Sequence, residues 1–246
     1  MEIAKSYDKK VKIINSENPI MFHKNKQKAI EAAKGEWILQ LDADEEITEE
    51  LKEEIKDIIG QSQIESDKIG KNNTDSIRLN PISSGSIFVA YWIPRKNFFL
   101  TRFLMKGGQY PDYTIRLYRN GYARFPCKDV HENVEIIDRT DESIGYLKNP
   151  ILHYADPDFS RYLMRWDRYT TLESQRFVGA KCISPEKPSL INYFIIKPIV
   201  TFFSMYFRHK GFMDGFPGFV FSFFSGLRFM VIYIKVWTQS HNKEEK

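Results

Sequence analysis

Trp37-Ile38-Leu39-Gln40-Leu41-Asp42-Ala43-Asp44-Glu45 decides how this chain is read: an apolar run that ends in two carboxylates one residue apart. A strand that stops this way delivers its acids to the carboxyl edge of a sheet, where open α/β folds bind ligands. Hard oxygen ligands at that edge suit Mg²⁺ or Mn²⁺. The same residues also suit a solvated turn feeding a helix from Thr48, because acids at a helix start meet unpaired backbone N–H groups and the positive end of the helix dipole. Spacing alone does not separate a metal site from a well-capped helix start. An EF-hand calcium loop needs further oxygen ligands and a Gly at fixed offsets, and Glu45-Glu46-Ile47 breaks that pattern.

Outward from this stretch, Val11 to Ile14 is short and β-branched and predicts a strand, while Lys24 to Ala33 has helical composition and stops before Gly35. With Trp37 to Leu41 as a buried strand, the order strand, helix, strand predicts an α/β layered domain with a parallel sheet. Thr48 opens a patterned helix in which Leu51, Ile55, Ile58 and Ile59 recur at helical spacing. Gln61 to Thr74 is polar, carries Gly70 and Asn72-Asn73, and predicts a loop or insertion. Extended segments follow at Ser76 to Leu79, Ile87 to Ile93, Thr114 to Tyr118 and Val134 to Ile137, and helical character returns from Phe159 to Phe177. No internal repeat is evident.

The chain has 246 residues, with 36 Lys and Arg against 32 Asp and Glu, and a net charge of +4 is too weak a balance to imply a nucleic-acid partner. Its distribution says more. Acids concentrate before about residue 70, whereas Lys187 to Trp237 holds several bases and almost no acid besides Asp214. Two cysteines, Cys127 and Cys182, imply no disulfide framework and suit a reducing compartment. Met1 to Lys12 is charged and lacks the apolar core of a signal peptide, which predicts a cytosolic location.

The last third changes solvent preference. Ile191 to Phe207 and Gly215 to Trp237 each approach the ~20 apolar residues that span a bilayer, but Lys197, Arg228, Lys235, Pro198 and Pro217 count against simple spans. Interfacial helices, with aromatic rings in the headgroup boundary and cations reaching outwards, fit this pattern better and predict peripheral membrane contact. A helical hairpin that caps the catalytic domain is the other reading.

Three further fragments follow the carboxylate pair in order: Gly107-Gly108-Gln109-Tyr110-Pro111-Asp112-Tyr113, then Ile115-Arg116-Leu117-Tyr118-Arg119 with Gly121, then Val130-His131-Glu132. Together with Asn25-Lys26 and Gly35 to Glu45, this ordered set resembles the inverting family-two glycosyltransferases of the GT-A fold. The likeness is greatest to the subgroup that adds sugars to lipopolysaccharide core and similar envelope glycans, and it covers roughly residues 10 to 155. It implies a GT-A-like (Rossmann-like) mixed sheet flanked by helices, with a catalytic domain over residues 1–155 and a Phe-rich helical C-terminal region over 156–246.

The resemblance also implies roles. Asp42 would sit near the ribose or uracil side of a sugar nucleotide, Asp44 would ligate the divalent metal bridging its diphosphate, and Asp112 occupies the place of the catalytic base, with Pro111 where the family keeps a Glu. His131 falls where some relatives place a ligand for metal or diphosphate, and Arg116 and Arg119 suit phosphates or neighbouring acids. The chemistry asks for such residues on its own account: a departing diphosphate needs its growing charge neutralised, and an acceptor hydroxyl needs a carboxylate to take its proton. Asp112 equally suits an ordinary turn after Pro111, and His131 a structural hydrogen bond. His153 reads more readily as a satisfied core residue than as a second site histidine. Trp92, Tyr110 and Tyr113 are candidates for stacking on a sugar face.

Relatives begin with a strand, a helix and a second strand that form much of the nucleotide pocket. Met1 to Tyr7 resembles the end of the helix that follows them, so the expectation is a catalytic domain lacking its first βαβ unit. The expected function is hexosyl or heptosyl transfer, with inversion, from a nucleotide-diphosphate sugar to a lipid-linked or envelope saccharide. A metal-dependent nucleotidyltransferase and a non-catalytic, membrane-associated remnant are the alternatives.

Overall fold

The computed structural model describes residues 11–17, 23–70, 88–126, 133–137, 143–178 and 188–244. The fold is α/β, with a mixed sheet, flanking helices and an apolar helical segment at the C-terminal end. The chain divides into two compact units. One comprises Met1–Leu41, Glu49–Ile93 and Tyr113–Asn149, the other Asp42–Thr48, Pro94–Asp112 and Pro150–Lys246.

In the first unit, α1 (His23–Ala32) leads through Gly35 into β1 (Trp37–Leu39). The Asn120 side chain donates to the carbonyls of Ala33 and Gly35 at 3.1 and 3.0 Å, satisfying oxygens that the helix end leaves without partners. β1 lies antiparallel to β5 (Asp112–Arg119), with Ile38 opposite Tyr118. The first half of β3 (Ala90–Phe99) runs parallel to β8 (Ile144–Tyr146), and β6 (Ala123–Arg124) pairs antiparallel with β7 (Glu135–Ile136). The core gathers Ile30, Ala90, Ile115, Tyr118, Phe125 and Val134. α2 (Glu49–Gly70) buries Leu51 and Ile55, and its Glu54 carboxylate caps the backbone N–H groups of Lys148 and Asn149.

Three local expectations are corrected here. Val11 to Ile14 forms no strand: its apolar side chains are about two-fifths exposed, with no neighbouring strand to pair with among the described residues. The segment from Gln61 to Gly70 is helical rather than a loop, since it contains no Pro and its one helix-breaking residue is Gly70 itself. The sheet is mixed, as the family resemblance implies, and not parallel as the strand, helix, strand order predicts, because β1 meets its neighbour in the antiparallel sense. Ser76 to Leu79 lies outside the described residues.

In the second unit, β9 (Ile151–Asp156) is the central strand. It lies parallel to the second half of β3 and antiparallel to β2 (Glu45–Ile47), while β4 (Arg102–Phe103) folds back antiparallel on β3. α3 (Phe159–Gln175) starts at Asp158, whose Oδ1 accepts from the Arg161 N–H at 2.8 Å. Its Tyr162 packs with Phe99, Leu104 and Val220. The C-terminal segment runs as a π-helical turn (Asn192–Ile196), α4 (Lys197–Phe203), a second π turn (Ser204–Arg208), a 3₁₀ turn (Gly211–Asp214) and the long α5 (Gly215–Glu244). At Gly226 a Cβ would stand 2.6 Å from the Pro198 carbonyl, and at Gly218 it would stand 2.1 Å from that of Gly211. Only glycine permits approaches this close.

Candidate active site

Strand register assembles the polar row. Glu45 stands opposite His153 across β2 and β9, and His153 stands opposite Asn97 across β9 and β3. Residues in direct register project to the same face, and Arg95, two positions before Asn97, joins them by the two-residue period of a strand. Asp44 enters from the turn before β2. There the Glu45 N–H donates to the Asp42 carbonyl at 3.0 Å, the Asp42 N–H donates to Glu45 Oε2 at 2.9 Å, and the Tyr154 N–H holds the Asp44 carbonyl at 2.8 Å. Asp112 enters through the Gly107-Gly108 turn, where both residues have positive φ (64° and 74°), and a cis Tyr110–Pro111 peptide.

These side chains form one chain of contacts. Arg95 donates from Nε and Nη2 to Asp112 Oδ2 at 3.0 and 2.7 Å, and its Nη1 reaches Glu45 Oε1 at 3.3 Å. Asn97 Nδ2 adds a third bond to Asp112 Oδ2 at 2.9 Å. Oδ1 of Asp112 therefore takes no hydrogen bond among the described residues, on a side chain that keeps 37% of its surface exposed. With its amide donating to Asp112, Asn97 offers Oδ1 to His153 Nδ1 at 2.7 Å, which assigns the proton to Nδ1 and leaves a lone pair on Nε2. That nitrogen faces Asp44 Oδ1 at 3.7 Å, and Arg161 Nη2 donates to Asp44 Oδ2 at 3.0 Å.

Burial, and then the Arg95 guanidinium, push the His153 imidazole below its ordinary value, against the opposing pull of Asp44 and Glu45. The neutral form is the one that ligates metals. Burial also works against the Arg95 charge, but Asp112 and Glu45 together hold the guanidinium more firmly protonated than usual. Asp44, Glu45 and Asp112 outnumber Arg95 and Arg161, so the row has room for one more positive charge.

Among the described residues, no three His, Cys, Asp or Glu side chains converge to cage a cation unaided. Asp44 Oδ1 and His153 Nε2 do face one another at 3.7 Å, a carboxylate oxygen and, with the proton on Nδ1, an imidazole lone pair. A small hard cation that keeps its waters and takes most of its ligands from a substrate diphosphate needs no more from the protein. The residues present therefore fit Mg²⁺ or Mn²⁺.

Of the residues singled out in the sequence, Asp44 and Asp112 belong to this network, and Asp42 stands in the turn that presents it. Along the chain, β2 lies between Asp42-Ala43-Asp44 and α2, whose first turn carries Glu49 and Glu50. Arg116 lies in the other unit, buried in β5, its carbonyl accepting from Gln40 N–H at 2.8 Å. His131 lies outside the described residues. Trp92 stacks on Tyr146, which also meets Tyr113 edge-on, and Lys96 lies over the Tyr110 ring at 5.9 Å. Glu45, Arg95, Asn97 and Arg161 escaped the sequence reading, and His153 was read there as core. Arg95-Lys96-Asn97 inside an otherwise apolar extended run was the available signal, since successive polar residues in a strand need a polar place to go.

The family model for glycosyl transferase family 2 matches residues 1–124 of the chain. The matched span carries the carboxylate turn, the polar half of β3 and Asp112.

Proposed function

Because the chain belongs to glycosyl transferase family 2, whose reactions join a nucleotide-sugar donor to an acceptor, we propose that it transfers a sugar with inversion, using Asp112 as base and Asp44 with His153 as metal ligands. The observation that carries the proposal is the division of labour within Asp112. Oδ2 is held by three donors, which restrain the carboxylate, and Oδ1 takes no hydrogen bond among the described residues, so it is available to accept a proton.

In this reaction the acceptor hydroxyl gives its proton to Asp112 Oδ1 as its oxygen bonds to the anomeric carbon. The bond from that carbon to the nucleoside diphosphate breaks from the opposite side, and the diphosphate leaves with the electron pair. A divalent cation on Asp44 and His153, when bound, neutralises the charge that grows on the leaving group. Arg161 holds Asp44 in place, and Asn97 connects both halves by fixing the His153 tautomer and bracing Asp112 together. The acceptor class is a lipid-linked or envelope saccharide, supported by the sequence likeness over residues 10–155 and by the apolar C-terminal helices.

The test supplies nucleotide sugars with Mn²⁺ and follows the released nucleotide. Nucleoside diphosphate should appear. Asp112→Asn should lower turnover by about 10²- to 10⁴-fold with donor binding intact, and Asp44→Asn should remove the metal-dependent part of donor binding. Release of pyrophosphate, or undiminished turnover by Asp112→Asn, overturns the proposal.

A further inference from the structure

The C-terminal helices carry an apolar surface that folding does not use. Ile195, Ile199, Phe203 and Phe207 form a stripe at four-residue intervals, each more than half exposed. An α-helix overruns a four-residue repeat and a π turn underruns it, so the π turns at either end of α4 keep the stripe on one side. Beyond the turn, Phe212, Phe216, Phe219 and Phe223 continue the apolar face, and Phe216 is 72% exposed. Rings stack along each helical run, Phe203 on Phe207 at 5.4 Å and Phe219 on Phe223 at 6.1 Å.

The cations inside these helices turn the other way. Lys197 lies over the Tyr193 ring at 3.8 Å, Arg228 pairs with Glu173 at 2.7 Å, and Lys235 sits among Asp167, Thr170 and Thr171 of α3. A helix with a charged neighbour along one side cannot be ringed by lipid. α5 is the one helix among the described residues that is long and apolar enough to cross a membrane, yet these contacts set polar side chains of α3 along one side of it. At the tip the charge is one-signed. Arg208 and Lys210 are exposed and make no ion pair among the described residues, whereas Asp214 is buried.

We propose that the tip, residues 203–223, docks on an anionic bilayer, its Phe rings entering the headgroup boundary while Arg208 and Lys210 meet lipid phosphates. The same tip is tied to the loop that leads to Asp112. The Asp214 carboxylate accepts from the N–H groups of Met105 and Lys106 at 3.1 and 2.8 Å, and the Gly107 N–H donates to the His209 carbonyl at 2.9 Å. Docking thus sets that loop at the membrane surface. Resting on the role proposed for Asp112, this makes an acceptor anchored in the same membrane the natural substrate.

The experiment sediments the full chain with vesicles of phosphatidylcholine, with and without phosphatidylglycerol, at low and high salt. The chain should partition to the anionic vesicles, more weakly at high salt. F212E/F216E should lower the partition coefficient about a hundredfold and R208Q/K210Q about tenfold. Asp112→Asn should bind as the parent does, so a failed catalytic assignment leaves this result standing. A chain that stays in the supernatant overturns the proposal, as does F212E/F216E binding like the parent. A discrete oligomer in buffer that F212E/F216E disperses, with no vesicle binding, overturns it too and assigns the face to a second copy.

Discussion

The row of charges on β2, β9 and β3 and the aromatic tip before α5 both work against folding, by opposite means. In the row, Glu45 and Arg95 have been taken largely out of water, and each charge is held by the other rather than by solvent. In the tip, rings that could each contribute about 1.5–3 kcal/mol if buried are left in water, and the polar groups between them are turned inward or left unpaired. A fold selected for stability alone would exchange the two. On the readings proposed above, the preorganised charge serves a diphosphate and the exposed rings a lipid surface.

Asp214 joins the two regions, and removing it gives the largest expected effect. Its carboxylate is fully buried and accepts two backbone N–H groups, with Arg102 Nη2 at 4.0 Å. Asp214→Ala strands both donors, a loss of about 2–5 kcal/mol in chemical denaturation. Asp214→Asn keeps one acceptor oxygen and should recover part of that loss. In turnover, Asp214→Asn should lower kcat while leaving KM for the donor unchanged, because the loop it braces carries Asp112 and not the metal pair. Equal changes in kcat and KM would show that tip and loop are not coupled through this residue.

A smaller effect separates bracing from metal binding within the charged row. Asn97→Leu removes the bond to His153 and frees the choice of tautomer, so Mn²⁺ affinity measured with a nucleoside diphosphate present should fall about 10- to 100-fold. Vesicle binding by the same variant should not move. An unchanged Mn²⁺ affinity would show that the Asn97 bond does not hold the imidazole for a metal.

What the sequence made legible follows from what carries a periodic signal. β1, α3 and α5 announce themselves through apolar spacing, and the Asp42-Ala43-Asp44 turn through its abrupt change of polarity. β2 did not, because Glu45 and Glu46 are poor strand formers and take that form only through pairing with β9. Arg95 and Asn97 were hidden for a related reason. Their partners Asp112 and His153 lie 17 and 56 residues away, and only the register of β3 on β9 brings Asn97 and His153 side by side. His153 reads like a core histidine because its side chain is largely buried, 14% exposed. Its use depends on a neighbour that the sequence does not place.

That burial also has a consequence in solution. The folded-state pKa of His153 is depressed, so between that value and the unfolded value of 6.5 the unfolded chain binds the extra proton. Its contribution to stability is therefore complete above pH 6.5 and is lost as pH falls through the folded pKa, at a slope of no more than about 1.4 kcal/mol per pH unit for one proton. Denaturation series across this window should show the slope in the parent chain and its loss in His153→Gln, whereas F212E/F216E should leave it intact. If His153→Gln keeps the slope, another group titrates there and the neutral imidazole is not what the charged row maintains. If the slope is His153's own, Mn²⁺ should add to stability while the folded imidazole is neutral and lose that effect only as pH falls below the depressed folded-state pKa, since a protonated Nε2 has no lone pair to give.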